Sequence, residues 1–234
     1  MSSPTHTHVM ALHGWAGDSR AWQPWAEQAM ARTWSFSTAE RGYGKLPAHQ
    51  PTWPDQAEQR VVIGHSMGPH LVPPALWQQA CCVVLLASFA AFVPEGREGR
   101  SLRAALRAME QRLSAGETTA MLRDFFRQAA APYPPSALPP GPLEQGIDGP
   151  GLERLQQDLA QLGQTAGLPE GFPQTARLLI VEAADDQILH PSSRAALRSA
   201  LPDAEVWTLE RAGHCLLNAD LPERVLTWIG EGGR

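Results

Sequence analysis

Short apolar runs that stop near glycine, serine or aspartate recur along this chain, and between them lie stretches whose apolar residues fall at helical spacing. Six runs stand out: HVMALHG (8–14), WSFSTAERGYG (34–44), RVVIGHS (60–66), CCVVLLAS (81–88), ARLLIVEAADD (176–186) and AEVWTLERAGH (204–214). A run that is apolar at consecutive rather than alternate positions predicts a strand covered on both faces, the usual state of a parallel sheet. Helical spacing predicts helices over SRAWQPWAEQAMA (19–31), SSRAALRSAL (192–201) and LPERVLTWIGE (221–231). Strand then helix, repeated, gives an α/β fold: a mostly parallel sheet of about six strands with helices on both faces.

Residues 94–174 break this rhythm. SLRAALRAMEQRL (101–113) sets Leu102, Leu106, Met109 and Leu113 on one helical face, and ETTAMLRDFFRQAA (117–130) does the same with Met121, Leu122, Phe125, Phe126 and Ala129. A proline-rich connector, APYPPSALPPGP (131–142), separates them from a further helical stretch, LERLQQDLAQL (152–162). The expected organisation is one core of residues 1–93 and 175–234, interrupted between the fourth and fifth strands by a helical cap, 94–174. A chain of 234 residues buries enough surface for such a core without disulfides or metals.

Composition narrows the function classes. The net charge of -5, with both signs mixed, lacks the basic surplus that phosphate backbones demand, so nucleic acid is not an expected partner. Three cysteines, two of them adjacent at Cys81 and Cys82, form neither a disulfide framework nor a metal-ligand spacing and fit a reducing cytoplasm. The first ten residues, MSSPTHTHVM, lack a signal-peptide pattern, and no apolar run approaches the ~18 residues of a membrane span. The THTH pair in that segment has no nearby Cys or carboxylate partners and reads as a solvated tail, so neither a metal nor a cofactor is expected.

Chemistry enters at Gly64-His65-Ser66-Met67-Gly68. The two glycines flank the serine where a strand pattern stops, and a sharp strand-to-helix turn strains its central residue and admits only small residues two before and two after it. The first turn of the following helix then aims backbone N–H groups beside the serine oxygen. Pro69 suits that first turn, which has no intrahelical partners for its N–H groups, whereas Pro73 and Pro74 should shorten or kink the helix. A serine hydroxyl needs a base, and the base needs an orienting acceptor. His214 follows the sixth run, and Asp185 and Asp186 end the fifth. Strand C-termini of a parallel sheet share one edge, so Ser66, one of these aspartates and His214 can converge there. LHGW (12–15) ends the first run at the same edge and can offer the Trp15 N–H to an oxyanion.

Through LHGW, RGYG, GHSMG, AADDQIL and AGH the chain resembles the α/β-hydrolase superfamily over nearly its full length. The resemblance implies Ser66 as nucleophile, Asp186 as orienting acid, His214 as base, and the N–H groups of Trp15 and Met67 as oxyanion donors. Ala183 and His190 stand where the family's G-x-D-D-x-I-V-P pattern has glycine and proline, which leaves Asp185 in play. Only seven residues precede residue 8, so the family's leading antiparallel strands should be missing and the sheet truncated to about six strands. A serine at 66 also speaks against the dehalogenases and epoxide hydrolases of this fold, which carry aspartate there.

Substrate choice should lie in the cap. Leu102, Leu106, Met109, Phe125 and Phe126 either line a channel or pack the cap on itself and on the core. Seven arginines (97, 100, 103, 107, 112, 123 and 127) face only four acids between residues 97 and 127, a basic surplus in an acidic chain. Arginine binds carboxylate and phosphate through a planar fork; the alternative is a solvated helix face with internal pairs. The HGWAGDSRAW stretch, the size and the cap charge are similar to the pimeloyl-[acyl-carrier protein] methyl ester esterases of biotin synthesis. That resemblance implies an acidic carrier protein docked on cap arginines, for which Arg103, Arg107, Arg123 and Arg127 are the candidates; Phe125, from the apolar cap face, is a further candidate for binding substrate or carrier. A general small-ester or thioester hydrolase, or a ligand-binding protein on a hydrolase scaffold, are the alternatives.

Overall fold

A computed structural model describes residues 6–232. Its sheet comprises β1 (Thr7–Leu12), β2 (Ser35–Thr38), β3 (Gln59–His65), β4 (Cys82–Leu86), β5 (Arg177–Ala183) and β6 (Glu205–Leu209). The spatial order is β2-β1-β3-β4-β5-β6 and every neighbouring pair is parallel. The chain leaves β1 toward β2 on one side and returns with β3 on the other, so a crevice opens beyond the C-terminal ends of β1 and β3. Leu12 and Gly64 are register partners there, which brings the residues after each strand side by side.

Alternation along the strands builds two cores. Val9, Ala11, Val61, Ile63, Val84 and Leu86 face α1 (Gln23–Ala31) and α8 (Leu221–Glu231). Met10, Leu12, Val62, Val83 and Leu85 face the opposite layer, which includes Trp77 of α2 (Pro74–Trp77) and Leu197 of α7 (Pro191–Ala200). Between β4 and β5 lie α3 (Arg100–Ser114), α4 (Thr118–Ala130), α5 (Pro142–Gln145) and α6 (Gly149–Gln164). They form a third cluster, in which Leu106, Leu113, Met121, Leu122, Leu155 and Leu159 meet Trp15, Tyr43, Met67 and Phe89 at the strand ends. An isolated antiparallel bridge between Ala91 and Ala166 ties off the base of this segment.

Two expectations need correction. The THTH segment is not a solvated tail where it is described: His8 lies within β1, buried, with Nδ1 2.7 Å from Ser35 Oγ and Nε2 2.8 Å from Ser37 Oγ. Thr5 lies outside the described residues. The second run is a strand only over Ser35–Thr38, because Gly42 turns the chain at φ 73° and the Glu40 carboxylate takes the Gly42 N–H at 2.8 Å. The shortening expected from Pro73 and Pro74 is present: no long helix follows Ser66. A single 3-10 turn, Gly68–Leu71, gives way to extended backbone at Val72, and the four-residue α2 starts after Pro73. Two prolines that cannot donate, and that force the residue before them out of helical geometry, account for the break.

Candidate active site

Ser66 leaves β3 with φ at 53°, a left-handed conformation that a side-chain-bearing residue holds only when its surroundings enforce it. The enforcement is visible on both sides. Its N–H donates to Leu86 O at 2.9 Å and its carbonyl accepts from Ser88 Oγ at 2.7 Å. A Cβ on Gly64 would come within 2.5 Å of Pro69 Cγ, and one on Gly68 within 2.5 Å of Leu12 O, so both glycines permit contacts that any other residue would block.

His214 stands in the loop after β6 and Asp186 in the loop after β5. Ser66 Oγ is 2.9 Å from His214 Nε2, and His214 Nδ1 is 2.9 Å from Asp186 Oδ2. A carboxylate only accepts, so Nδ1 carries the proton and Nε2 is left to accept from the serine. Asp186 Oδ1 accepts from the N–H groups of Ile188 and Leu189 at 2.8 and 2.9 Å. Burial alone would raise the Asp186 pKa. The adjacent His214 ring and these two N–H groups outweigh it and hold the carboxyl below its ordinary value. Asp185 is exposed, and among the described residues its hydrogen bonding is confined to its backbone N–H, which donates to Ala212 O.

His65 supports His214 from below: its Nε2–H donates to the His214 carbonyl at 2.9 Å. Loss of solvent, reinforced by the His214 ring, lowers the His65 pKa to about 4, so it is neutral at pH 7. Gly14, after β1, packs so closely on the serine that a Cβ there would lie 3.0 Å from Ser66 Cβ. Trp15 follows Gly14 and Met67 follows Ser66, and among the described residues neither backbone N–H has an acceptor within the chain. Fixed, unpaired N–H groups beside a nucleophile are what an oxyanion requires.

Ser66 and His214 open into a cavity of about 620 Å³. Trp15, Trp22, Trp25, Phe125, Phe126 and Tyr133 supply aromatic wall, and the proline-rich connector closes a side with residues 137–142. No arginine or lysine lines it among the described residues, and its charged lining residues are Asp18 and Glu144. Asp18 is already held by Arg20, with Oδ2 2.5 Å from the guanidinium.

The cap residues divide. Phe125 and Phe126 line the cavity, Phe125 standing edge-on to Trp15 with ring centroids 5.1 Å apart, whereas Leu102, Leu106 and Met109 pack in the third cluster away from it. None of Arg103, Arg107, Arg123 and Arg127 lines the cavity. Arg103 is held by the carbonyls of Pro94 and Gly96, and Arg127 by Asp124 at 2.8 Å; Arg107 and Arg123 are exposed. Cys215 also lines the cavity, but burial pushes its thiol up to about 12, so it is no thiolate at neutral pH.

Sequence reasoning missed the tryptophans of residues 19–31 as cavity wall, the connector, and the support from His65. Only His65, inside the glycine-flanked motif, carried a local signal. Among the described residues no cluster of three metal-ligating side chains occurs, and no helix is long and apolar enough to cross a membrane.

Comparison with known proteins agrees with this architecture. The sequence model of the Alpha/beta hydrolase family matches residues 9–228. A search of curated proteins returned no match. Among solved structures, an esterase from Exiguobacterium antarcticum superposes with a TM-score of 0.67 at 16% identity, over 97% of this chain and 92% of that one. A thermophilic esterase from Thermogutta terrifontis gives 0.64 at 18% identity, over 97% and 89%. The 2-hydroxy-6-oxo-6-phenylhexa-2,4-dienoate hydrolase of Rhodococcus sp. strain RHA1 gives 0.62 at 19% identity, over 98% and 92%.

Proposed function

We propose, for a chain that belongs to the alpha/beta hydrolase family, that Ser66, His214 and Asp186 form the catalytic triad of a serine carboxylesterase working through an acyl-enzyme. The observation that carries this reading is the hydrogen-bonded line from Ser66 Oγ through His214 to Asp186, with 2.9 Å at each link. In the first half-reaction Ser66 Oγ attacks the ester carbonyl while His214 Nε2 takes its proton, and Asp186 stabilises the imidazolium so formed. The carbonyl oxygen becomes an oxyanion, to which the N–H groups of Trp15 and Met67 donate; each such donor is typically worth about 3 kcal/mol in the transition state. Collapse expels the alcohol, which takes the proton back from His214. Water then repeats the sequence against the acyl-enzyme and regenerates Ser66.

The cavity lining supports a choice of acyl class. Aromatic walls without a cation favour an uncharged apolar acyl group, because a free carboxylate there would be desolvated and unpaired. That feature speaks against a substrate such as the dienoate in the name of the Rhodococcus hydrolase. It suits a methyl-capped acyl chain, and with it the sharpest form of the proposal: hydrolysis of a pimeloyl methyl ester on acyl-carrier protein in the cytoplasm, the acidic carrier docking on exposed Arg107 and Arg123. The engagement of Arg103 and Arg127 within their own segment favours a second reading, a general hydrolase of small esters or thioesters.

Rates on p-nitrophenyl esters of increasing chain length and on carrier-linked pimeloyl methyl ester, each with wild type and Ser66→Ala, separate the two. A Ser66-dependent preference for the carrier-linked ester supports the first. Turnover of only the soluble esters supports the second, and turnover that survives Ser66→Ala overturns both.

A further inference from the structure

Asp158, on α6, is a buried carboxylate that does not line the cavity, and a buried charge persists only where its partners repay its lost hydration. Its partners all come from the loop after β2. Tyr43 Oη donates to Oδ2 at 2.5 Å, Arg41 Nε donates to Oδ2 at 3.0 Å, and an Arg41 terminal nitrogen donates to Oδ1 at 2.6 Å. The rest of α6 reinforces the same docking: Arg154 donates to Gly42 O at 2.9 Å, and Gly151 sits so close that a Cβ would lie 2.1 Å from Tyr43 O.

Three further hydrogen bonds connect this joint to the loop that holds Trp15 and brace it. The Arg41 backbone N–H donates to His13 Nε2 at 3.2 Å, and the other ring nitrogen donates to Gly14 O at 2.9 Å. Leu155, one turn before Asp158 and on the same helix face, accepts from Trp15 Nε1 at 2.9 Å. The contacts close a ring: Asp158 to Arg41, Arg41 to His13, His13 to Gly14, and Trp15 back to Leu155 on the helix where it began. The Gly14 carbonyl and the Trp15 indole are thus gripped on either side of the Trp15 N–H, the group that must face the oxyanion.

We infer that Asp158 is a positioning residue for ester hydrolysis, locking α6 to the 41–43 loop so that the Trp15 N–H is held on the oxyanion site. The inference rests on the serine-esterase reading given above. Asp158 touches no reacting atom; it acts through the orientation of the 13–15 loop.

A double-mutant cycle of Asp158→Asn and Trp15→Phe tests it, using p-nitrophenyl butyrate and rates normalised to Ser66 titrated with a fluorophosphonate. Deleting an oxyanion donor costs about 10²- to 10³-fold in kcat, so displacing one should lower kcat about 10- to 100-fold in each single variant, with KM changed less than ~3-fold. Because both substitutions release one linkage, the double variant should fall no more than ~3-fold below the worse single one. If Asp158→Asn lowers the melting temperature but leaves kcat per titrated serine at the wild-type value, the residue is structural and the inference fails. Should Asp158→Asn not fold, Tyr43→Phe paired with Trp15→Phe carries the same test, and wild-type kcat in both overturns it. Failure of the underlying reading is separate: wild type itself would neither turn over the ester nor take up the fluorophosphonate.

Discussion

Ser66, Asp186 and His214 sit in three different loops at one sheet edge, so the serine oxygen can be removed without disturbing the strands. Ser66→Ala is expected to lower kcat on a soluble ester by at least ~10⁴-fold. Its melting temperature should stay near that of wild type, and a calorimetric scan beside the rate assay checks both. His65 makes a different prediction, about pH. Its folded pKa of about 4 lies below the ordinary 6.5, so between those values the unfolded chain binds the proton more tightly. The stability contributed by the neutral ring is therefore complete above pH 6.5 and lost as pH falls toward 4, at up to about 1.4 kcal/mol per pH unit. His65→Gln keeps a donor for the His214 carbonyl and cannot titrate. Urea unfolding between pH 7 and 4 should show a slope shallower by about one proton in the variant; equal slopes would mean that His65 is not held neutral.

At the level of elements, the turn around Ser66 depends on contacts too close for any side chain. Gly64→Ala would drive a methyl into the Pro69 ring, 2.5 Å from Cγ and 2.9 Å from Cδ, whereas Pro69 Cβ lies at an ordinary 3.6 Å. Gly64→Ala alone should therefore abolish most activity, and Pro69→Ala in the same chain should restore much of it. Thermal melts and esterase rates of the two single variants and the double variant test the pair; a double variant no better than Gly64→Ala would show that the proline ring is not the obstacle. The same turn explains what sequence could reveal. Gly64, Ser66 and Gly68 are legible because the three residues lie within five positions of one another, although Leu12 O, which excludes a side chain at 68, and Leu86 and Ser88, which hold Ser66, are distant in the chain. The strands are legible because both faces are buried, as with Val9 and Ala11 on one side and Met10 and Leu12 on the other. Asp158 is not legible, since it occupies one position of an amphipathic helix and its meaning comes from Tyr43, distant in the chain. The connector reads only as a linker because nothing in its prolines tells which surface they will cover.

Over the whole molecule, the helical segment between β4 and β5 fills the ends of the parallel sheet with a third core, and one side of that core borders the cavity. This arrangement separates two jobs. Phe125, Phe126 and the connector touch whatever occupies the cavity, while the arginines lie outside it and can act only on a partner too large to enter. Arg107→Glu combined with Arg123→Glu should accordingly slow hydrolysis of a carrier-linked ester by about 10-fold or more and leave a soluble ester within about 2-fold of wild type. Equal effects on both substrates, or none on either, would reduce these arginines to solvated surface. The most direct measurement comes before any question of partner: quench wild-type protein during turnover of p-nitrophenyl butyrate and locate the trapped acyl group by peptide mass spectrometry. A butyryl group on Ser66, absent from Ser66→Ala, is the predicted result. Turnover with no acyl group on Ser66, or undiminished turnover by Ser66→Ala, would contradict the acyl-enzyme mechanism.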